Sequence, residues 1–407
     1  MIVLVGDTFE ASGLEGLRAA GCDIRYEPDV SADTLRAAVA SSEAEVLVVR
    51  STRVTEATLD AGQLSLVVRA GAGVNTIDVA AAARRGIYVS NCPGKNAVAV
   101  AELALGLLLA LDRRIPENVA DLRAGRWNKS DYSHASGLYG RTLGLLGFGA
   151  IGQEVARRAL AFGMRVVVWS PRFVRDADAA RAELPPDLNI GVETTPEAVA
   201  ERSDALSVHL ALTPETRGMV CASILGGLRK GALFVNTARA ELVDDAALTD
   251  AVRTRGVRAA MDVFRGEPAS AAASFSPPLA ALDGVYGTHH IGASTRQAQE
   301  AIAAEVVRIV RSYKERGIVP NAVNLSTHTP ATHTLIVRHR DRPGVLAHVF
   351  SALRRANFNV QETENVIFEG AEAAVARINV DGEPGPDLLG AIAAGTGDIL
   401  GLHVVKI

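Results

Sequence analysis

Short, largely apolar runs alternate along most of the chain with longer stretches whose apolar positions recur at helical spacing. The runs at 2–5, 45–49, 66–69, 87–89, Thr142–Leu146, 166–169, 205–209, Leu233–Asn236, 258–262 and Val285–Gly287 lack polar alternation. They predict strands buried on both faces of parallel sheets. The stretches between them predict covering helices, and such alternation makes an α/β architecture. The run at 97–111 is short for a membrane span and holds Glu102, so it predicts a buried helix between domains. A helical pattern from 294 to 316 ends at Gly317 and Pro320. Residues 326–332, Ser-Thr-His-Thr-Pro-Ala-Thr, read as a linker. Beyond them the rhythm changes to strand, helix, two strands, helix, strand, the βαββαβ order of a ferredoxin-like unit.

With 407 residues, 48% of them hydrophobic, the chain can bury several cores, in about two to three domains. A net charge of −4 leaves no electrostatic footprint for nucleic acid. Cys22, Cys92 and Cys221 are scattered without metal-ligand spacing, which fits a reducing cytosol. The opening MIVLVGDTFE has no signal-peptide layout and reads as a first strand.

One stretch carries specific chemistry. After the Thr142–Leu146 run come Gly147-x-Gly149-x-x-Gly152, a helical pattern to about Phe162, and a second apolar run. Strand, glycine turn, helix and strand hold a dinucleotide pyrophosphate. The first glycine permits the tight turn, the second lets the phosphates approach, and the third lets helix and strand pack closely. An acidic residue ordinarily ends the second strand and binds the ribose 2′-hydroxyl. Here Ser170 stands there, followed by Pro171 and Arg172. Ser170 and Arg172 suit a 2′-phosphate, which tilts the cofactor from NAD toward NADP and leaves NAD open.

Polar residues at the carboxyl ends of the other predicted strands are the next candidates. Arg50-Ser51-Thr52-Arg53 and Arg69-Ala70-Gly71 follow two strands of the first region, so both Arg50 and Arg69 are placed for an anionic ligand. Arg239, Glu267 and His290 follow three strands of the second. Arg can clamp a carboxylate in a two-pronged contact and polarise a carbonyl. His can exchange a hydroxyl proton, and a buried Glu beside it would orient the ring and favour its protonated form.

These residues, with 67–78, 91–110, 143–163, 235–242, 261–268 and 290–295, resemble the D-isomer-specific 2-hydroxyacid dehydrogenases, most closely members that act on phosphoglycerate and carry a C-terminal ACT domain. The resemblance implies two Rossmann/flavodoxin-like parallel-sheet domains with an active-site cleft between them, plus the ferredoxin-like ACT domain. The substrate domain would be 1–97 with 292–325, the dinucleotide domain 98–291, and the ACT domain 333–407. Arg239 would bind the substrate carboxylate, with His290 the acid/base and Glu267 its support. Cofactor contacts would come from Gly147, Gly149, Ile151, Gly152, Ser170, Arg172, Ala238 and Asp262, the last at the nicotinamide carboxamide. Arg50, Ser51, Arg69 and Gly71 would face the substrate. Trp127 and Lys129 resemble a segment brought by a neighbouring subunit, which implies a homodimer or homotetramer. His339, Asp341 and Asn359 match positions that bind L-serine in serine-regulated relatives, although Asp341 replaces an Asn. A purely dimerising module is the alternative. His289 stands where the family has Pro, the 50–53 loop is one residue shorter than in some relatives, and no Gly-Gly hinge precedes Thr334.

The reading this supports is cytosolic oxidation of 3-phospho-D-glycerate to 3-phosphohydroxypyruvate with NAD or NADP, the first step of L-serine biosynthesis. Two alternatives stay open. One is an NADP-dependent enzyme of glycerate, hydroxypyruvate or glyoxylate. The other is a nucleotide-sensing, corepressor-like interaction protein, whose relatives keep the same Arg–Glu–His set.

Overall fold

The computed structural model describes residues 1–175, 184, 190–268 and 273–407. The chain forms two compact units, Met1–Asn324 and Leu325–Ile407.

The first unit holds two parallel sheets. One contains β1 (Ile2–Val5), β2 (Asp23–Tyr26), β3 (Val46–Val49), β4 (Leu66–Arg69) and β5 (Tyr88–Ser90), ordered β2-β1-β3-β4-β5. The other contains β6 (Thr142–Leu146), β7 (Arg165–Trp169), β8 (Ile190–Val192), β9 (Ala205–Val208), β10 (Leu233–Asn236), β11 (Arg258–Met261) and β12 (Val285–Gly287), ordered β12-β11-β10-β9-β6-β7-β8. The chain reverses direction across each sheet once, between β1 and β3 and between β6 and β9. Loops diverge at such a point and leave a crevice at the strands' carboxyl ends.

Burial on both faces explains the unbroken apolar runs. All five residues of β6 are buried. Leu146 and Phe234 join the core on one side of the second sheet, Leu145 and Val235 the core on the other. The run at 97–111 lies in the Ala97–Arg113 helix, whose Ala104, Leu105, Leu108 and Leu111 pack into that second core. No helix among the described residues is long and apolar enough to cross a membrane. The Arg296–Arg316 helix returns to the first sheet, where Ile302, Val306, Ile309 and Val310 pack on Val3, Val5, Leu66 and Val68. Its start, predicted at 294, falls at Arg296 because the Thr295 side chain caps it, accepting from the Ala298 amide at 3.2 Å. The edge strands β2 and β8 have no apolar run to announce them; β2 keeps no fully buried residue.

The chain after this helix is clasped to β5. Val323 N donates to Val89 O at 2.8 Å, Val89 N donates to Asn324 Oδ1 at 2.9 Å, and Ser90 Oγ donates to Pro320 O at 2.6 Å. Beside the clasp, buried Glu305 accepts from Arg308 and Asn321 and pairs with Lys95 at 3.3 Å. Hydrogen bonding by Arg308, against the opposing effect of burial, holds the Glu305 carboxyl down to about 2. The folded state therefore binds this proton less readily than the unfolded chain. The stabilisation is present above the ordinary carboxyl value of 4.5 and is lost as pH falls from there toward 2. Glu305→Gln is expected to lower Tm at pH 7 by about 2–4 °C. The gap to the parent should narrow in melts as the pH falls from about 4.5 toward 2; a gap independent of pH would contradict the charge assignment.

The second unit is a βαββαβ fold. Antiparallel β13 (His333–Arg340), β14 (Val360–Ile367), β15 (Ala373–Val380) and β16 (Ile399–Lys406) are ordered β14-β15-β13-β16. Helices Val345–Arg355 and Pro386–Ala394 contribute Val349, Leu353 and Ile392 to a core with Leu335, Val337 and Ile378.

Candidate active site

The crevice of the second sheet opens over the glycine turn. Gly147 has φ +101°, and a Cβ there would lie 2.5 Å from the His209 carbonyl oxygen, so only glycine fits. A Cβ on Gly152 would collide with the Gly147 carbonyl oxygen, which places the Ala150–Ala161 helix directly against the turn. Around Gly149 the space is open: a Cβ there would meet nothing within 4 Å. Ile151 is part-buried at the helix start and packs on the core that holds Leu145. Three buried polar atoms at the carboxyl ends of β7, β9 and β10 have no hydrogen-bond partner among the described residues: Trp169 Nε1, His209 Nδ1 and Thr237 Oγ1. Burial pushes His209 down to about 4, so its ring is neutral, and its Nε2 pairs with Ser207 Oγ at 2.8 Å. An open glycine turn, a helix N-terminus and donors left unpaired at the strand ends fit a dinucleotide lying across this edge. At the end of β7, Ser170 is 5% exposed and Arg172 is exposed.

Arg239 leaves β10 on a loop shaped by Asn236, whose Nδ2 donates to Arg239 O at 2.9 Å and whose Oδ1 accepts from Ala238 N at 3.0 Å. Its guanidinium donates to Ala238 O at 2.6 Å and to Asn75 Oδ1 at 3.4 Å, and its Nη2 fills the space a side chain on Gly73 would need. A residue of the second sheet thus lies on the loop that follows β4. From that strand comes Arg69, whose guanidinium occupies the space above Gly71. Burial, then the positive charges of Arg239 and Arg50, pulls Arg69 down to about 10; burial lowers Arg239 as well. Neither arginine forms an ion pair among the described residues, and Arg69 Nε is buried without a partner. Two part-buried cations without a carboxylate between them make a place for an anion.

His290 and Glu267 meet at 2.7 Å, Nδ1 to Oε2. The other Glu267 oxygen accepts from the Phe264 amide at 2.6 Å. Glu267 is half-buried rather than buried, with 30% of its side chain exposed. Burial pushes its carboxyl up, but the hydrogen bonds from His290 and Phe264 and the charges of His290 and Arg239 outweigh that and hold it below the usual range. His290 sits at φ +52°, a left-handed backbone unusual for a residue with a Cβ. Asp262, 1% exposed, holds this loop from both sides. Its carboxylate accepts from Thr288 Oγ1 at 2.6 Å and from the Ile291 and Gly292 amides at 2.9 Å each. The residue expected at the nicotinamide carboxamide is thus also the anchor of the His290 loop. His289 is exposed and makes no side-chain hydrogen bond among the described residues; only His290 faces Glu267.

Other expected residues stand apart from this cluster. The Ser51 hydroxyl and amide both bond Asp7, a residue that no motif marked. Lys129 and Trp127 are exposed, Trp127 by 81%, with no contact described between them and the cleft. In the second unit His339 is 2% exposed, with Nδ1 at 2.8 Å from Arg340 O and Nε2 at 3.1 Å from Asn365 Oδ1. Asp341 and Asn359 lie on the surface. Within one chain this trio does not present three free side chains to a ligand.

Residues 105–292 match the family described as D-isomer specific 2-hydroxyacid dehydrogenase, NAD binding domain, and residues 333–393 match the ACT domain. A D-3-phosphoglycerate dehydrogenase of Methanocaldococcus jannaschii is 39% identical over 287 residues, 70% of this chain and 52% of that protein, so the chain spans about half the length of this relative. A hydroxypyruvate reductase of Thermotoga maritima is 41% identical over 280 residues, 68% of this chain and 86% of that protein. Among solved structures, the TT0316 protein of Thermus thermophilus has a TM-score of 0.68 at 34% identity and covers 79% of this chain and 100% of its own.

Proposed function

The chain belongs to the D-isomer-specific 2-hydroxyacid dehydrogenase family, and from that premise we propose that it oxidises 3-phospho-D-glycerate to 3-phosphohydroxypyruvate, the first step of L-serine biosynthesis. The observation that carries this reading is the pair Arg69 and Arg239, part-buried and in no ion pair among the described residues, with Arg50 close enough to repel Arg69. A substrate with a carboxylate at one end and a phosphate at the other matches that charge; a monoanion does not use all of it. Arg239 holds the carboxylate and Arg50 and Arg69 the phosphate. His290 takes the C2 hydroxyl proton on its Nε2, while Glu267 on Nδ1 fixes the orientation of the ring. A nicotinamide ring, when bound, supplies the hydride acceptor. The protein's part is to hold the reacting groups in line and manage the proton.

A nicotinamide cofactor rests on the glycine turn; NADP rather than NAD rests on Ser170 and Arg172 alone. The second reading, NADP-dependent turnover of glycerate, hydroxypyruvate or glyoxylate, is favoured by those same two residues and by the reductase relative. Two further roles complete the proposal. The ACT domain binds an amino-acid effector, L-serine first among them. The Ile115–Arg123 helix, which buries none of its residues and exposes Ile115, Val119 and Leu122, meets a second copy in a homodimer or homotetramer.

A turnover matrix tests the proposal. NAD and NADP are each assayed with 3-phosphoglycerate, D-glycerate and D-lactate, and the reduced forms with phosphohydroxypyruvate, hydroxypyruvate and glyoxylate. The phosphorylated pair is expected to give kcat/KM at least about 100-fold above the others, equivalent to about 2.7 kcal/mol. Preference for an unphosphorylated acid would move the enzyme to the reductase reading. Cofactor binding with no turnover would favour the corepressor-like reading.

A further inference from the structure

The reversal point of the first sheet is already filled. The loop after β3 turns three successive backbone N–H groups inward, and all three donate to one oxygen. Arg50 N, Ser51 N and Thr52 N reach Asp7 Oδ2 at 2.7, 3.2 and 3.1 Å. The Ser51 and Thr52 hydroxyls donate to Asp7 Oδ1 at 3.2 and 3.0 Å. Consecutive amides converging on a point are a nest for an anion. Here the anion is the chain's own carboxylate, delivered by the residue that follows Gly6 at the end of β1. The loop's backbone donors and the Ser51 hydroxyl are therefore committed. The Arg50 guanidinium remains, close enough to Arg69 for its charge, and that of Asp7, to be felt there.

We propose that Asp7 is a positioning residue: a built-in anion that locks the 50–52 loop so that the Arg50 guanidinium, not the loop's amides, meets the substrate's distal anionic group. The proposal rests on the phosphoglycerate reading for the identity of that group. It explains how a short, part-buried loop can present one arginine in a fixed direction. The ordering cost is met on folding, so little is left for substrate binding. It also makes Asp7 specificity-determining, because a substrate without a distal anion gains nothing from an aligned Arg50.

The test uses the full-length enzyme, with Asp7→Ala, Asp7→Asn, Arg50→Ala and the Asp7→Ala/Arg50→Ala double variant. KM and kcat are measured for 3-phosphoglycerate and D-glycerate, with amide hydrogen exchange of residues 50–52 as a readout that needs no activity. Asp7→Ala is expected to raise KM for 3-phosphoglycerate about tenfold, with kcat and the D-glycerate KM within about twofold. Asp7→Asn, which keeps one acceptor oxygen, recovers most of that loss. In the Arg50→Ala background Asp7→Ala adds little, since both act through one group. The three amides should exchange at least about tenfold faster in Asp7→Ala, with the sheet core unchanged. Equal KM increases for both substrates would overturn the proposal in favour of a general structural role. A lower KM for 3-phosphoglycerate would overturn it by showing that the freed amides are the phosphate site. Unchanged exchange would overturn the loop lock itself. If the parent enzyme ignores 3-phosphoglycerate, the functional reading fails, and the exchange result still decides the lock on its own.

Discussion

His290→Ala is expected to lower kcat by about a thousandfold, with KM for the hydroxy acid changed by less than about threefold. The imidazole is assigned to the proton of the reacting hydroxyl, and general acid–base groups contribute roughly 10²–10⁴ in rate. Little else should change. The side chain is 49% exposed, so its removal leaves no core cavity. Its backbone is held in the left-handed region by Asp262 through Thr288, Ile291 and Gly292, none of which the substitution touches. Alanine tolerates that conformation no better than histidine, so a Tm unchanged within a few degrees is part of the expectation. His289→Ala is the control, and its kcat should stay within about twofold, because His289 is exposed and meets no carboxylate among the described residues. A larger loss in His289→Ala than in His290→Ala would reverse the assignment. A loss below about tenfold in His290→Ala would remove proton transfer from that residue altogether.

The parts of this site that the sequence disclosed are those whose physics is local. β6 was legible because burial on both faces leaves it almost wholly apolar, and the turn because Gly152 answers a steric demand from the Gly147 carbonyl five residues before it. Arg239, Glu267 and His290 were legible as residues just past strand ends, where open α/β sheets collect ligands. The edge strands β2 and β8 were not, since an edge strand does not need an apolar run. Side-chain direction was less legible still. Asp262 stands in a readable motif, yet its three donors lie 26, 29 and 30 residues further on, and no local pattern says that the carboxylate turns toward them. Asp7 lies 43–45 residues from the loop it holds, and a single Asp after a strand looks like any turn residue. Ser51 was expected to face the substrate; its hydroxyl bonds a carboxylate placed there by strand order. Available chemistry can be read along a chain, whereas the partner each group takes is set by contacts across the sheet.

Arg239→Ala is expected to lower kcat/KM by about a thousandfold, the other large effect at this site. Truncating a buried, charged recognition group commonly costs about 2–5 kcal/mol, and each 1.4 kcal/mol is a factor of about ten. The loss should fall on both parameters. A substrate whose carboxylate is no longer clamped binds weakly, and the fraction bound is poorly aligned with His290. Arg239→Lys keeps the charge but not the planar fork that donates to Ala238 O and Asn75 Oδ1, so it should recover no more than about a tenth of the parent kcat/KM. The electrostatics also predict an opposite effect on stability. Burial weakens the charged forms of both Arg239 and Arg69, and the charge of Arg239 acts against that of Arg69, while Glu241 and Glu267 partly support Arg239. Removing Arg239 relieves that repulsion, so the ligand-free Arg239→Ala enzyme should melt no lower than the parent. The parent alone should gain several degrees on saturation with a substrate that carries both a carboxylate and a phosphate, because the bound anion supplies the missing countercharge. Thermal melts with and without 3-phosphoglycerate separate the two contributions. A variant that loses both its activity and its ligand-free stability would show that Arg239 holds the fold together, and the carboxylate-binding assignment would pass to Arg69.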